Sequence, residues 1–127
     1  MVRRILPLFL LLGTCAAFTS FSPADKIVGT WKETWGVGQD TDVNYHDIYI
    51  ININIWNKVQ ISAPDRKTYK FQNISYENRR LKFELINTTG DYVMPYDLVL
   101  DKGGDKMVGK ARSIKGKQVN IEWNRVR

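Results

Sequence analysis

From Ile27 to the end of the chain, apolar and polar residues alternate in short runs that are separated by turn-forming residues. In the run LKFEL at 81–85, three apolar residues alternate with Lys82 and Glu84. Successive side chains of a β-strand point to opposite faces, so this alternation is typical of strands with one buried face. The intervening segments, such as DKGGDK at 101–106, are rich in Gly, Asn, Asp or Pro, which favour tight turns. The chain is therefore predicted to be all-β.

Eight such runs follow one another along the chain. The predicted strands span 27–36, 44–54, 56–62, 67–75, 80–87, 92–101, 105–113 and 118–126. The longest connection is about seven residues, which favours sequential hairpins over the longer crossings of a β-sandwich, the alternative. Closure of sequential antiparallel strands into a barrel removes the exposed sheet edges. We therefore expect an eight-stranded antiparallel up-and-down β-barrel.

The N-terminal segment differs in composition from the rest of the chain. A cationic start, MVRR, precedes the apolar run ILPLFLLL and the small, weakly polar stretch GTCAAFTS. This order is typical of an export signal, whereas an amphipathic first helix, the alternative, would need a polar face that the run lacks. We therefore expect a signal peptide over 1–24 and one barrel domain over 25–127. The protein is predicted to be exported, and to be periplasmic, anchored to the outer membrane or secreted.

The only cysteine, Cys15, lies in this leader. The stretch LGTC at 12–15 resembles the lipobox at which the cysteine of a bacterial lipoprotein is lipidated, although Thr14 stands where Gly, Ala or Ser is usual. Cleavage by a plain signal peptidase after one of the alanines that follow is the alternative. A lipid anchor on Cys15 is the only membrane attachment that we expect. A single cysteine also excludes an intrachain disulfide.

Charge and composition argue against several functions. The formal net charge of +6 falls to +4 without Arg3 and Arg4 of the leader, and the basic residues are scattered among acidic ones, so no nucleic-acid-binding face is expected. The single histidine, His46, cannot form a multi-histidine metal site. No serine lies in a nucleophile-elbow motif, and no Gly-rich phosphate loop opens a helix. We therefore expect a monomer that is not an enzyme and that uses no metal and no cofactor.

The last predicted strand continues its apolar face into a charged residue. Val119, Ile121 and Trp123 alternate with polar residues, and the next position on their face is Arg125. An inward charge is costly unless another group receives it. If the first and last strands are neighbours in a closed barrel, the ring of Trp31 can receive the guanidinium through a cation–π contact. The sequence therefore predicts that Trp31 and Arg125 stack.

These residues resemble a known family. Gly29, Thr30 and Trp31 on the first strand, with Arg125 on the last, are similar to the Gly-x-Trp and terminal-arginine pair of the lipocalins and their calycin relatives. Residues 96–123 resemble the last three strands of small exported lipocalin-like proteins of bacteria. The resemblance implies that Gly29, Trp31 and Arg125 close one end of the barrel. Because the chain is shorter than larger lipocalins and lacks their TDY motif and C-terminal helix, it also implies short loops.

Fatty-acid-binding proteins and avidins share part of this motif. Fatty-acid-binding proteins also begin with GTWK, but they need ten strands and a helix pair where this chain has the polar segment GVGQDTDVNYHD at 36–47. Avidins share GTW and eight strands, but the interior tryptophans of their middle strands are missing here. The lipocalin-like interpretation is therefore preferred.

The alternation predicts an interior of apolar and aromatic side chains, with room beside the small residues Gly109 and Ala111. Binding sites are largely apolar with a few polar groups that orient the ligand. We therefore expect a small hydrophobic ligand in the barrel. Its predicted contacts are Trp35, Tyr49, Phe71, Phe83, Met94 and Tyr96. Glu33 shares a face with Trp31 and is expected to pair with Arg125 or another basic residue, with orientation of a ligand as the alternative.

A second function remains open from the sequence. A packed barrel could serve as a structural or protein-interaction module of the cell envelope, with the rim at 36–45 as a contact surface. An interior cavity above about 300 Å³ favours ligand binding. A filled barrel with an exposed aromatic patch favours interaction with a partner.

Overall fold

A computed structural model describes residues 23–39, 47–89 and 92–127. Cys15 and His46 lie outside these ranges. The described chain begins with a 3-10 helix, Pro23–Ile27, whose first two residues belong to the predicted leader. The eight strands are β1 Gly29–Trp35, β2 Ile48–Ile53, β3 Val59–Ser62, β4 Tyr69–Glu77, β5 Arg80–Asn87, β6 Tyr92–Leu100, β7 Lys106–Arg112 and β8 Gln118–Arg125. Within the described ranges, no helix has the length and apolar character needed to cross a membrane.

All eight strands belong to one antiparallel sheet. Their order is β3-β2-β1-β8-β7-β6-β5-β4, so consecutive strands pair except for β3 and β4, and β1 also pairs with β8. In that last pairing Trp31 lies opposite Arg125, and Glu33 lies opposite Trp123. The two outer strands of this order, β3 and β4, approach each other without a hydrogen-bonded ladder among the described residues. The predicted up-and-down barrel is confirmed, and it is nearly closed.

The period-two alternation produces the core. In β5, the side chains of Leu81, Phe83 and Leu85 are buried, while those of Lys82 and Arg80 are exposed. In β6, β7 and β8, buried inward-facing residues likewise alternate with more exposed ones. Burial of these apolar side chains removes them from water and is the main source of the barrel's stability.

The β4–β5 connection shows how turn residues set the register. Glu77 pairs with Arg80, which leaves Asn78 and Arg79 as a two-residue loop. Both loop residues have positive φ angles, 54° and 63°. Two consecutive positive φ values define the type I′ turn, whose twist matches that of the flanking strands.

The β2–β3 connection differs from the sequence prediction. The predicted strand over 44–54 extends one residue too far, because β2 ends at Ile53. The side-chain oxygen of Asn54 accepts hydrogen bonds from the backbone N–H groups of Trp56 (2.9 Å) and Lys58 (3.0 Å), which starts a tight turn. As a result, Ile55 is 90% exposed and Trp56 is 74% exposed.

The expected room beside Gly109 is also absent. A Cβ atom at this position would overlap the backbone carbonyl of Asp97 on β6. Gly109 therefore allows the backbones of β6 and β7 to approach closely, and it does not enlarge the interior of the barrel. Ala111, two residues on, is buried in the core.

Candidate functional site

Trp31 and Arg125 meet at the end of the barrel where β1 begins and β8 ends. The guanidinium carbon of Arg125 lies 4.4 Å from the centroid of the Trp31 ring, so the predicted stacking contact is present. The Trp31 side chain is fully buried, and its indole N–H donates a hydrogen bond to the carbonyl of Ile27 (2.9 Å). This bond ties the 3-10 helix to the tryptophan. We call this region the closed end.

The positive charge of Arg125 is stabilised mainly by hydrogen bonds to backbone carbonyls. Its guanidinium donates to the carbonyl oxygens of Lys26 (2.6 Å), Val28 (2.8 Å) and Gly104 (2.9 Å). Its ionic partner is Asp105, whose carboxylate oxygen lies 3.6 Å from Nε. Of the pairings expected for Glu33, the one with Arg125 is not formed, because the guanidinium is engaged at the other end of the strand pair.

Gly29 makes the closed end possible. Its φ angle is +142°, a conformation that residues with a side chain rarely adopt. A Cβ atom at this position would lie 2.7 Å from Nη1 of Arg125. The glycine two residues before the tryptophan therefore leaves the space that the arginine occupies.

The middle of the barrel is filled by aromatic rings. Tyr49 stacks on Trp123, and Phe83 stacks on Tyr96, each with ring centroids 4.6 Å apart. Phe71 meets the rings of Tyr49 and Phe83 edge-on, at 6.0 Å and 5.7 Å. Offset stacked and edge-on arrangements are the favourable geometries for such rings. We call these five residues the ring cluster, and two of them, Tyr49 and Tyr96, also border free volume toward the opposite end.

That opposite end, where β1 finishes and β6 begins, holds a cavity of about 220 Å³. We call it the open end. The residues that line the cavity come from β1, β2, β4, β6 and the β7–β8 turn. They are Glu33, Trp35, Tyr49, Tyr69, Tyr92, Met94, Tyr96, Ser113 and Ile114. A dry cavity of about 150 Å³ admits benzene, so this volume accepts roughly one aromatic ring with a short side chain.

Four of the six predicted ligand contacts line this cavity. Trp35, Tyr49, Met94 and Tyr96 do so, whereas Phe71 and Phe83 do not line it. Two further tyrosines, at positions 69 and 92, also line the cavity and pack against the core. The two residues from the β7–β8 turn were missed because an alternation pattern does not specify the facing of turn residues.

Glu33 forms the polar floor of the cavity. Its side chain is fully buried, and its Oε2 atom accepts hydrogen bonds from the Tyr96 hydroxyl (2.8 Å) and the Trp123 indole N–H (3.0 Å). Burial raises the pKa of Glu33 from 4.5 to about 7, although both of these bonds lower it. A carboxyl group in this state changes its charge near neutral pH, which makes it a candidate functional group.

Asp47 adds a second carboxylate beside Glu33. Its backbone carbonyl accepts the Glu33 N–H (2.8 Å), and its buried side chain pairs with the Nε of Arg66 (2.9 Å). Its negative charge contributes to the raised pKa of Glu33. Burial also raises the pKa of Tyr49 and Tyr96 well above the usual range, so both hydroxyls stay protonated.

A larger groove of about 570 Å³ runs over the outer face of β5, β6 and β7. Much of its lining consists of charged side chains of both signs, and two of them, Arg80 and Asp97, form a salt bridge at 3.0 Å. Exposed pairs of this kind contribute little energy and present no net charge to a ligand. The cavity at the open end is therefore the better candidate site.

Among the described residues, no three His, Cys, Asp or Glu side chains come together as a group that could hold a metal ion. Comparisons of the chain with protein-family models, with curated proteins and with solved structures each found no match. The barrel and the geometry of its open end are therefore the basis for proposing a function.

Proposed function

We propose that this chain is a non-enzymatic binding protein that holds a small, mainly hydrophobic ligand at the open end of a lipocalin-like barrel. The observation that carries the proposal is the aromatic cavity of about 220 Å³ that converges on the buried carboxyl of Glu33. Apolar walls with one well-placed polar group are the usual composition of small-molecule sites. The cavity is smaller than the volume of about 300 Å³ that we expected for ligand binding, because the ring cluster fills the barrel below it. The proposed ligand is therefore about one aromatic ring in size rather than a lipid chain.

The proposal includes export of the protein. An N-terminal leader over 1–24 would place the barrel in the periplasm, on the outer membrane or outside the cell. Processing of this leader would either attach a lipid anchor to Cys15 or cleave the chain without lipidation. Support for this part comes from the leader sequence alone. The lipocalin relationship is supported by the eight-stranded barrel and by the contact of Gly29, Trp31 and Arg125.

Native mass spectrometry of the protein purified from its own source tests the proposal directly. We expect a non-covalent adduct of low mass that is lost on denaturation. Ser113, on the cavity rim, offers a blocking variant: Ser113→Trp adds a large side chain at the opening and should abolish the adduct. Val108, on the outer face of β7, offers the matched control, since Val108→Trp should leave the adduct unchanged. Absence of any adduct from the unaltered protein would contradict the proposal.

The second candidate function is a protein-interaction barrel, and one observation favours it. Ile55 and Trp56 project from the β2–β3 turn, and the Asn54 side chain fixes that turn by accepting two backbone hydrogen bonds. Exposed large apolar side chains on a fixed turn suit contact with a partner surface. This function becomes the better account if the mass spectrometry finds no adduct.

A further inference from the structure

We infer that the ligand carries a cationic amine, which pairs with the Glu33 carboxylate while its apolar body lies against the aromatic walls of the open end. This inference rests on the proposed function and specifies the charge of the ligand. It follows from the position of Glu33, from the rings around the cavity and from the second carboxylate nearby.

The position of Glu33 is fixed by the residues beneath the cavity. Tyr96 and Trp123 both donate to Oε2, so the carboxyl group is held in one orientation at the cavity floor. An ionised carboxylate only accepts hydrogen bonds, and an ammonium group only donates them. A charged hydrogen bond of this kind is roughly twice as strong as a neutral one, and it is strengthened further away from water.

The cavity walls favour the same charge. Trp35, Tyr69 and Tyr92 contribute aromatic side chains to the lining of the cavity. The negative face of an aromatic ring attracts a cation within about 6 Å of its centroid. Since Trp and Tyr also cover the apolar part of a ligand, the site combines a ring-sized hydrophobic space with attraction for a positive group.

Anionic ligands are disfavoured by the charges that surround the floor. Glu33 and Asp47 are both carboxylates, and Arg66 is paired with Asp47 at 2.9 Å. A carboxylate ligand placed against Glu33 would bring like charges together in a poorly solvated site, where repulsion is strong. A neutral alcohol would avoid the repulsion but would forgo the ion pair.

The binding of an amine should depend on pH through Glu33. The described titratable and charged groups that face Glu33 are Tyr96 from β6, Tyr49 from β2, and Asp47 with its partner Arg66, while β8 contributes the non-titrating Trp123. Both tyrosines stay protonated near neutral pH because burial raises the pKa of each. With a pKa of about 7, Glu33 is roughly thirtyfold more ionised at pH 8 than at pH 5.5.

Calorimetric titration of the full chain with three probes tests the inference. The probes are 2-phenylethylamine, 2-phenylethanol and 3-phenylpropionate, which share a ring and differ in charge. At pH 8 we expect the amine to bind at least about tenfold tighter than the alcohol, and the carboxylate to bind weakest, because an ion pair adds more than a kcal/mol. At pH 5.5 the preference for the amine over the alcohol should fall toward one.

Glu33→Gln provides the test by substitution. It keeps the shape of the side chain and removes the charge, so the amine and the alcohol should bind about equally, and the affinity for the alcohol should be unchanged. Glu122→Gln is the matched control, because Glu122 lies on the outer face of β8 beside Lys106 and should preserve the preference for the amine.

The outcomes separate the two proposals. Equal binding of amine and alcohol by the unaltered protein at pH 8 overturns the inference and leaves the proposed function intact. Failure of all three probes to bind at millimolar concentration overturns both. If Glu33→Gln does not fold, the unaltered protein decides the question alone, since an amine preference that stays constant between pH 5.5 and 8 overturns the role of Glu33.

Discussion

The two ends of the barrel each place an ionisable side chain on the inward face, but they stabilise it in different ways. At the closed end, backbone carbonyls of the 3-10 helix region and of the β6–β7 loop receive the guanidinium of Arg125, and Trp31 covers it. At the open end, the Glu33 carboxyl is held by the side chains of Tyr96 and Trp123 and borders a cavity.

The difference separates a charge that fixes the structure from one that is suited to binding. Arg125 keeps 16% of its side chain exposed and has an ionic partner in Asp105, so its charge is retained at moderate cost. Glu33 is fully buried, and burial raises its pKa to about 7. A residue whose charge can be switched near neutral pH, next to free space, is suited to binding, whereas Arg125 is suited to fixing the strands.

The largest effect is expected at the closed end. Trp31→Ala removes a fully buried indole, its hydrogen bond to Ile27 and the stacking of Arg125, and should lower the free energy of unfolding by about 3–5 kcal/mol. Urea denaturation followed by circular dichroism measures the change. Trp56→Ala is the control, because a tryptophan that is 74% exposed should cost less than about 0.5 kcal/mol. Equal losses in the two variants would contradict the assigned role of Trp31.

The open end should determine how stability varies with pH. Since the pKa of Glu33 rises from 4.5 to about 7 on folding, the folded protein binds more protons than the unfolded chain between these values. The contribution of Glu33 to stability is therefore fully present below pH 4.5 and is lost as pH rises to about 7, a change of about 3 kcal/mol. Denaturation midpoints across this range should show the fall, and Glu33→Gln should flatten it. An unchanged slope in the variant would show that another group is responsible.

A smaller effect is expected where the glycine meets the arginine. Gly29→Ala places a Cβ 2.7 Å from Nη1 of Arg125 at a φ of +142°, and should cost about 1–3 kcal/mol. The double variant with Arg125→Ala separates the two causes, because the steric part disappears while the backbone part remains. Thermal denaturation of the four proteins of this cycle measures the coupling. Strict additivity would mean that Gly29 is required by its backbone conformation alone.

The sequence predicted the barrel and its closed end because both depend on regular rules. Alternation gives the inward face of each strand, and the continuation of that face to Arg125 identified the partner of Trp31. Phe71 and Phe83 do not line the cavity because alternation specifies the facing of a side chain but not its depth along the barrel axis. The end of β2 was predicted one residue too late because the Asn54 side chain accepts two backbone hydrogen bonds and starts the turn.

The rest of the open end depends on contacts between distant residues. Nothing local to Glu33 indicates that its carboxyl meets Tyr96 and Trp123, which lie 63 and 90 positions away. Residues of the β7–β8 turn reach the cavity only because the register of that hairpin brings them to the rim. Such features follow from the assembled sheet and cannot be read from any single run of residues.

The gap between β3 and β4 gives the barrel a seam. These strands adjoin without a ladder among the described residues, so they can part there without breaking any interstrand hydrogen bond. β3 is only four residues long, which limits the unpaired edge that another chain could join. Local opening of the barrel should therefore occur mainly between β3 and β4. The β2–β3 hairpin should then be the first part of the sheet to exchange its amide hydrogens with solvent.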